Sequence, residues 1–448
     1  SAVTKAIGLA KKLKHRYQDE IRARTPVYLS PVRRIERVSL PQRVCAMTFD
    51  DGPCRLPANP SSDGTPLTLS LLESLEAFGA HGTFDVVGDT SENYPDKPGK
   101  EGSASWGGIR YDHYPDIHKD ADGGAVHCPE LVQRILDGGH EITSHTYRHV
   151  LYGPKPLVYG GRQPFENLAE VTQDLRRLDE LMRRDYGYAI RLSRPPHYVD
   201  STKDGFTSYD AHALLGYQYL AASFDGAGWL PLASFDAEVD AMLCPMKRAL
   251  EQNPDCLCGQ IIFQKDGYNM ARRSPVAQAL PKQLALLQQY GYRVVTVSEL
   301  LSLCPFADLS PESPVFAPAK ALLEAGFCIC YRDNTVRPAQ ILTRGELCMF
   351  AFGWKTAARR IELVQTKTRV CRDVPCRHPY AAAIELALER GCMQQRDGRF
   401  FPDEPVSPED FSGFCRALFA QETRSPQSPI THAQAIELLA AFAGRETL

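Results

Sequence analysis

Short apolar runs and longer amphipathic stretches alternate through residues 41–303. Residues 44–49 are mostly apolar and lead into an Asp-Asp-Gly-Pro sequence, which predicts a buried strand followed by a sharp turn. Apolar positions at helical spacing then predict a helix over 66–78. The remaining predicted elements are helices at 129–137 and 165–184 and strands at 82–88, 140–143, 189–193, 217–223, 260–264 and 292–297.

The order of these elements indicates the fold class. Strands that alternate with helices are typical of α/β domains with a mostly parallel sheet or barrel. Because polar residues follow the predicted strands, we predict a distorted, incomplete (β/α) barrel over residues 41–303. Residues 89–126 are rich in Gly, Asp, Ser and Pro and are predicted to be a surface insertion. Residues 1–40 are predicted to form a basic amphipathic helix and an extended lead-in.

Beyond residue 303 the pattern becomes repetitive. Asp308 and Asp373 each begin a unit in which an Ala-rich helix pattern, a turn and a second helix pattern follow one another. The two units start 65 residues apart, and a truncated third copy is visible at 430–439. Such self-similarity predicts a small all-α repeat domain over residues 304–448.

Composition and charge exclude several classes of protein. Hydrophobic residues make up 43% of the chain and charged residues 23%, a profile typical of globular proteins. The formal net charge of −3 is too near zero to indicate a nucleic-acid partner. No apolar run is long enough to span a membrane, and the basic N-terminus lacks the apolar core of a signal peptide. The fourteen cysteines show no framework spacing, so we expect thiols rather than disulfides.

The motif TFDDGP at residues 48–53 carries the sharpest chemical signal. Two adjacent carboxylates at a strand end, Asp50 and Asp51, point in different directions, so one can bind a metal ion while the other stays free. The following Gly and Pro turn the chain sharply away. By itself, this pattern is more typical of an Asx-rich turn.

A second motif, HTYRH, places His145 and His149 four residues apart. On a helical turn this spacing brings two imidazoles to one face, close enough to share one ion. The pair alone could be incidental. Together with the two aspartates, however, it gives the set of two histidines and one carboxylate found in hydrolytic metal sites with open positions for water and substrate.

Two further motifs follow predicted strands. RPPHY at 194–198 combines a proline pair that fixes the backbone with Arg194, whose guanidinium can orient a carboxylate through two parallel hydrogen bonds. FDGAGW at 224–229 supplies a carboxylate, Asp225, and a large aromatic side chain, Trp229. Each motif alone could be an ordinary loop, but the four motifs occur in order, each at a predicted strand end.

With these motifs, residues 43–301 resemble the polysaccharide deacetylases, the NodB-like carbohydrate esterases that remove acetyl groups from sugar polymers. The segments HGTFDVVG, GGHEITSH and YGYRVVTVSELL are also similar to the family between its motifs. The resemblance implies a glycan substrate and a divalent metal ion, with zinc as the first choice and Co²⁺, Ni²⁺ or Mn²⁺ as alternatives.

The resemblance also implies roles for the residues around the ion. Asp50 would be the general base that deprotonates the metal-bound water. Asp51, His145 and His149 would hold the ion, and Arg194 would orient Asp50.

The resemblance implies further roles for Asp225, Trp229, His197 and Tyr198. Asp225 would hold Arg194 in place, and Trp229 would form an apolar wall around the acetyl methyl group. The backbone N–H of His197 would help to stabilise the oxyanion, and Tyr198 belongs to the same substrate-binding loop.

One motif departs from the family's pattern. The family ends its fifth motif with a His that protonates the leaving amine, whereas Lys265 stands at that position here. With an unperturbed pKa of about 10.4, a lysine is a poorer acid at neutral pH unless burial or the metal lowers its pKa. Three interpretations stay open: Lys265 acts as the acid, His197 substitutes for it, or turnover is weak or lost while sugar binding remains.

The C-terminal repeats resemble the S-layer homology module, which docks extracellular bacterial proteins onto cell-wall polysaccharide. The similar segments are FADL at 306–309 and LTRGE at 342–346. The polymer-contacting Arg of that family is present in the first copy as Arg344, absent from the second, and replaced by His432 in the third. Wall binding, a purely structural role and contacts with the catalytic domain are therefore all open.

These features predict a secreted or wall-associated bacterial enzyme that hydrolyses N-acetyl groups of a glycan such as peptidoglycan or a chitin-like oligomer. An O-acetyl ester is the rival substrate within the same chemistry. Two alternatives come from other classes: a carbohydrate-binding protein that has lost turnover, and an amidohydrolase that acts on a small molecule in a closed pocket.

Overall fold

The computed structural model describes residues 27–58, 62–89, 105–106, 109–110, 122–153, 164–229, 231–269, 273–424 and 426–442. The predicted N-terminal helix therefore lies outside the described residues, as does most of the predicted insertion at 89–126.

Among the described residues, nine strands form one sheet in which all strand pairs are parallel. An antiparallel pair, β4 and β5, lies in the predicted insertion. The bounds are β1 Arg34–Ile35, β2 Val44–Asp50, β3 Thr83–Val86, β4 Ser105–Trp106, β5 Ile109–Arg110, β6 Glu141–Ser144, β7 Leu192–Ser193, β8 Gln218–Leu220, β9 Phe224–Asp225, β10 Ile261–Lys265 and β11 Arg293–Val295.

The sheet curls so that its two ends approach each other. Its strand order is β1-β8-β7-β6-β3-β2-β10-β9, and β11 pairs with the first residues of β2. Strands β8 and β9 belong to one short stretch of chain, 218–225, although they stand near opposite ends of this order. This curled half-barrel of parallel strands confirms the predicted incomplete (β/α) barrel. Because the strands are parallel, their carboxyl ends lie together at one end of the barrel, where loop residues meet.

Helices accompany the strands, and their apolar faces are buried. Those of the barrel region are α1 Leu67–Ala77, α2 Pro129–Asp137, α3 Leu168–Tyr186, α4 Ser208–Leu215, α5 Phe235–Gln252, α6 Val276–Gln289 and α7 Val297–Leu303. Helix α3 shows why they begin and end where they do. The Asn167 side chain accepts a hydrogen bond from the N–H of Glu170, and Gly187 ends the helix in a left-handed conformation. Helices α1 to α3 match the prediction to within three residues at each end, whereas α4 to α6 have no counterpart in it.

Residues 304–442 fold into helices joined by turns. Two equivalent turns are closed by aspartates 65 residues apart: Asp308 accepts hydrogen bonds from the backbone N–H groups of 336–337, and Asp373 from those of 400–401. The helices are α8 Phe316–Glu324, α9 Arg344–Phe352, α10 Ala357–Thr366, α11 Ala381–Glu389, α12 Pro408–Phe419 and α13 His432–Ala440.

The C-terminal helices share a hydrophobic core with the barrel. One cluster of buried side chains contains Ile35 and Leu220 from the sheet together with Phe306 and Tyr331 from the C-terminal region. The buried guanidinium of Arg33 adds polar contacts, since its Nη1 donates to the carbonyl oxygen of residue 305 and the side chain of residue 334, each at 2.9 Å. In the part of the chain that the structure describes, the two regions are thus packed together through a common core.

Two further observations concern the state of the cysteines and the search for membrane-spanning helices. All fourteen cysteines are free thiols, and most of them are buried. No helix in the described ranges is both long and apolar enough to cross a membrane.

Candidate metal centre

Three potential metal ligands meet at the carboxyl ends of β2 and β6. Asp51 directly follows β2, and His145 directly follows β6. The Oδ1 atom of Asp51 lies 3.3 Å from Nε2 of His145 and 3.4 Å from Nε2 of His149. All three residues are buried, and their ligand atoms lie within 4.8 Å of one another. A carboxylate oxygen and two imidazole nitrogens at this separation fit a divalent ion such as zinc.

The loop that carries both histidines is not helical, which corrects the helical-turn prediction for 145–149. Thr146 (φ 70°) and His149 (φ 55°) have left-handed backbone conformations that a right-handed α-helix excludes. The N–H of Tyr147 donates to Asp174 at 2.7 Å and holds the loop in place. The two histidine rings still have centroids only 5.0 Å apart. Each left-handed residue costs about 1–2 kcal/mol, and such strain clusters at functional sites.

Asp50, the last residue of β2, is bonded to the guanidinium of Arg194, as expected. Arg194 is only 1% exposed. Its nitrogens also donate to Thr48 Oγ1 at 3.0 Å and to the carbonyl oxygens of Leu220 and Ala221 at 3.3 and 3.0 Å. Arg194 therefore connects the Asp50 carboxylate to β2 and to the end of β8.

Burial and neighbouring charges shift the proton affinities at this site. Burial raises the pKa of Asp50 to about 7, although the Arg194 charge opposes this. Burial lowers the pKa of His149 to about 4. Burial also acts to lower the pKa of His145, but the charges of Asp85 and Asp50 outweigh it and raise that pKa well above its usual value. At neutral pH His149 is thus neutral and able to bind an ion, whereas on His145 an ion would displace a proton.

Lys265 enters the same cluster from the neighbouring strand. It is the last residue of β10 and stands opposite Asp50 in the strand pairing. Its side chain is buried, and Nζ lies 2.9 Å from Oδ2 of Asp51. The residue at the position of the family's acid is therefore ion-paired with a potential metal ligand.

Asp225 does not make the contact expected of it. Its side chain is exposed and accepts hydrogen bonds from the N–H of Ala227 at 2.8 Å and from Nε1 of Trp229 at 3.1 Å. The Arg194 donors are instead satisfied by Asp50 and by the barrel wall. The structure therefore replaces the expected pair of Asp225 and Arg194 with a turn in which Asp225 holds the Trp229 indole.

The proposed substrate loop lies beside the ligands. His197 and Tyr198 belong to a short 3-10 turn, Pro196–Tyr198, and both have φ of 55°. The His197 ring centroid is 6.0 Å from that of His149, and the partly exposed ring of Tyr198 lies 5.7 Å from the Arg194 guanidinium carbon. The left-handed turn thus places both residues beside the potential metal ligands.

One residue of this site is missing from the sequence prediction. Asp85 of β3 is fully buried, and its Oδ2 lies 2.9 Å from Nδ1 of His145. A signal for it was present, because a carboxylate stands between the apolar Phe84 and Val86 in a predicted strand. Such a residue needs a buried partner, but the sequence alone does not name that partner.

Comparisons with known proteins find similar sequences among polysaccharide deacetylases. The family model for polysaccharide deacetylase matches residues 37–218. The chain is 32% identical over 296 residues to the peptidoglycan-N-acetylmuramic acid deacetylase PdaC of Bacillus subtilis, covering 64% of this chain and 46% of that protein. It is 26% identical over 262 residues to a peptidoglycan-N-acetylglucosamine deacetylase of Bacillus cereus, covering 58% of this chain and 89% of that protein.

A solved structure of PdaC from Bacillus subtilis is similar at 21% identity and a TM-score of 0.37, over 58% of this chain and 91% of that one. The chain spans about half the length of the full PdaC protein and most of the Bacillus cereus deacetylase. The family match over residues 37–218 and these relatives make the chain similar to the polysaccharide deacetylases, a family of hydrolases.

Proposed function

We propose that this protein is a metal-dependent hydrolase that removes N-acetyl groups from a glycan such as peptidoglycan or a chitin-like oligomer. The observation that carries the proposal is the buried cluster of Asp51, His145 and His149, with Asp50 adjacent and tied to Arg194. The similarity to two Bacillus peptidoglycan deacetylases supports the glycan class. An O-acetyl ester is the nearest rival substrate.

The ion would be held by Asp51, His145 and His149. Zinc is the first choice, with Co²⁺, Ni²⁺ or Mn²⁺ as alternatives, because two imidazoles and one carboxylate with open positions are typical of hydrolytic zinc sites. A bound divalent ion supplies a water of lowered pKa and polarises the acetyl carbonyl.

The chain's own groups would position and move protons around that water. Asp50 would accept the proton of the attacking water, since its carboxylate borders the ligand cluster and its pKa lies near neutrality. Arg194 would keep Asp50 in position through their hydrogen bond. The backbone N–H of His197 would donate to the developing oxyanion, and the Trp229 indole would flank the acetyl methyl group.

Lys265 is the group on which turnover depends. Its ammonium is positioned near the cluster, so it could protonate the leaving amine, and His197 is the second candidate for that task. The ion pair with Asp51 also favours a second function, glycan binding without turnover, because the ammonium neutralises a carboxylate that the metal ion needs.

The test is acetate release from chitin oligomers and peptidoglycan with added zinc or cobalt. Wild type, Lys265→His and the control Asp50→Asn are compared across a pH series. Release by wild type that Asp50→Asn abolishes, with a changed pH optimum in Lys265→His, would support the deacetylase with Lys265 as the acid. If no variant releases acetate while the glycan is still retained, the protein binds without turnover.

The C-terminal region would act as a structural part of the enzyme. Arg344, the residue that would contact a polymer, is 3% exposed, and its guanidinium is bonded to Asp410 and to the carbonyl oxygens of Phe400 and Gln394. His432 is fully buried. These contacts favour a structural role over wall binding for Arg344 and His432.

We also propose domain boundaries for the chain and a location for the protein. Residues 41–303 would form the catalytic domain, and residues 304–448 the helical repeat domain, which the two equivalent aspartate turns support. A secreted or wall-associated location in a bacterium would suit the substrates of the matched Bacillus proteins.

A further inference from the structure

Strand β3 carries a buried carboxylate that the mechanism above does not use. Asp85 is fully buried, and the strand register places it between Asp50 of β2 and Thr143 of β6. An ionised carboxylate in the interior is costly unless it is paired and hydrogen-bonded. The partners of Asp85 therefore indicate what it does.

Both oxygens of Asp85 have defined neighbours. Oδ1 accepts a hydrogen bond from Thr143 Oγ1 at 2.6 Å, which fixes the orientation of the carboxylate. Oδ2 lies 2.9 Å from Nδ1 of His145. The other ring nitrogen of His145, Nε2, lies 3.3 Å from Oδ1 of Asp51. The imidazole thus connects a buried carboxylate on one side with the proposed metal position on the other.

We propose that Asp85 is a positioning residue that holds His145 with its proton on Nδ1 and its lone pair on Nε2, directed at the metal ion. The inference rests on the proposed metal-dependent function. The backbone oxygen of Arg194 lies 2.8 Å from the same Nδ1 and selects the same tautomer. The carboxylate adds a negative charge, which makes the imidazole a stronger ligand than a neutral acceptor would.

The charge balance of the site gives a second argument for the proposed role of Asp85. Arg194 and Lys265 place two buried cations beside the proposed ion, and Asp50 and Asp51 supply only two negative charges against them. A divalent ion would leave a positive excess among these buried side chains, where such an excess is costly. Asp85 reduces that excess.

The test measures Zn²⁺ affinity of the metal-free full-length protein by calorimetric titration, together with the absorption spectrum of the Co²⁺ form. Asp85→Leu removes both the acceptor and the charge and should weaken zinc binding by about 10–100-fold. Asp85→Asn keeps an oxygen acceptor and should cause a smaller loss. Thr143→Val removes the hydrogen bond that orients the Asp85 carboxylate and should also weaken zinc binding. Asp200→Asn is the matched control, because Asp200 is bonded to Tyr219 and Ser208.

Melting of the metal-free variants separates folding defects from weakened metal binding. The expected result is weaker zinc binding and an altered cobalt spectrum in Asp85→Asn and Thr143→Val, with metal-free melting temperatures near that of wild type and wild-type affinity in Asp200→Asn. Unchanged zinc affinity in folded Asp85→Asn and Thr143→Val would overturn the role of Asp85 and leave the proposed function standing. Failure of wild type to bind zinc or cobalt would overturn both.

Discussion

The ammonium of Lys265 lies 2.9 Å from Oδ2 of Asp51, whose other oxygen faces His145 and His149 at 3.3 and 3.4 Å. A single buried carboxylate thus joins an internal cation to the two imidazoles. Because like charges repel strongly where water is scarce, the ammonium and a bound dication would compete for Asp51.

Removing the Lys265 charge should therefore tighten metal binding. We expect Lys265→Met to raise zinc affinity about tenfold, equivalent to about 1.4 kcal/mol. The same substitution should lower acetate release if the ammonium is the acid. Calorimetric zinc titration gives the affinity, and Lys247→Met, at an exposed lysine of α5, is the control. Equal zinc affinities in wild type and Lys265→Met would contradict the competition.

Arg194 should matter for stability as well as for catalysis. Arg194→Met leaves the Asp50 carboxylate buried without its partner, and breaking a buried ion pair typically costs about 3–5 kcal/mol. Urea unfolding of the metal-free protein measures this loss, and acetate release should fall with it. Arg191→Met, at an exposed arginine close in sequence, is the matched control. A stability of Arg194→Met within error of that control would show that Arg194 does not anchor the barrel interior.

The C-terminal helices should be required for the barrel to fold. A chain that ends at residue 303 exposes apolar side chains of the sheet, including Ile35 and Leu220, that now lie in the shared core. We expect this shortened chain to aggregate or to lose its cooperative thermal transition, while the full chain unfolds in one transition. Phe306→Ala, at a fully buried side chain of that core, should cost about 3–5 kcal/mol. A shortened chain that melts like the full one would rule out the structural role.

Stability should fall at acid pH because of His212. Burial lowers the pKa of this fully buried histidine to about 3, against about 6.5 in the unfolded chain. The unfolded state therefore binds more protons between these values, so stability is greatest above pH 6.5 and is lost as the pH falls towards 3. From pH 7.5 to pH 5 this histidine alone should cost about 2 kcal/mol. Urea unfolding at both pH values should show a smaller loss in His212→Phe, and an equal loss would refute the assignment.

Several features of the protein follow from local sequence. Hydrophobic periodicity predicts α1 to α3 and the alternation of strands and helices typical of an α/β domain, because each element depends on residues close together in the chain. The spacing of Asp50, Asp51, His145 and His149 at strand ends predicts that they meet, since parallel strands bring their carboxyl ends together. Lys265 stands out through the resemblance to the deacetylase family, which has a His at that position.

Other features depend on contacts between distant residues, which no local pattern encodes. The loop at 145–149 has left-handed residues at Thr146 and His149 and is hydrogen-bonded to Asp174 of α3, so its histidines meet without a helix. Asp85 lies beside His145 only when β3 and β6 pair. Asp225 accepts a hydrogen bond from Trp229, whereas Arg194 donates to Asp50 and to backbone carbonyl oxygens of the barrel. The sequence gives the chemical type of each side chain, whereas the partner of each buried charge depends on the three-dimensional packing around it.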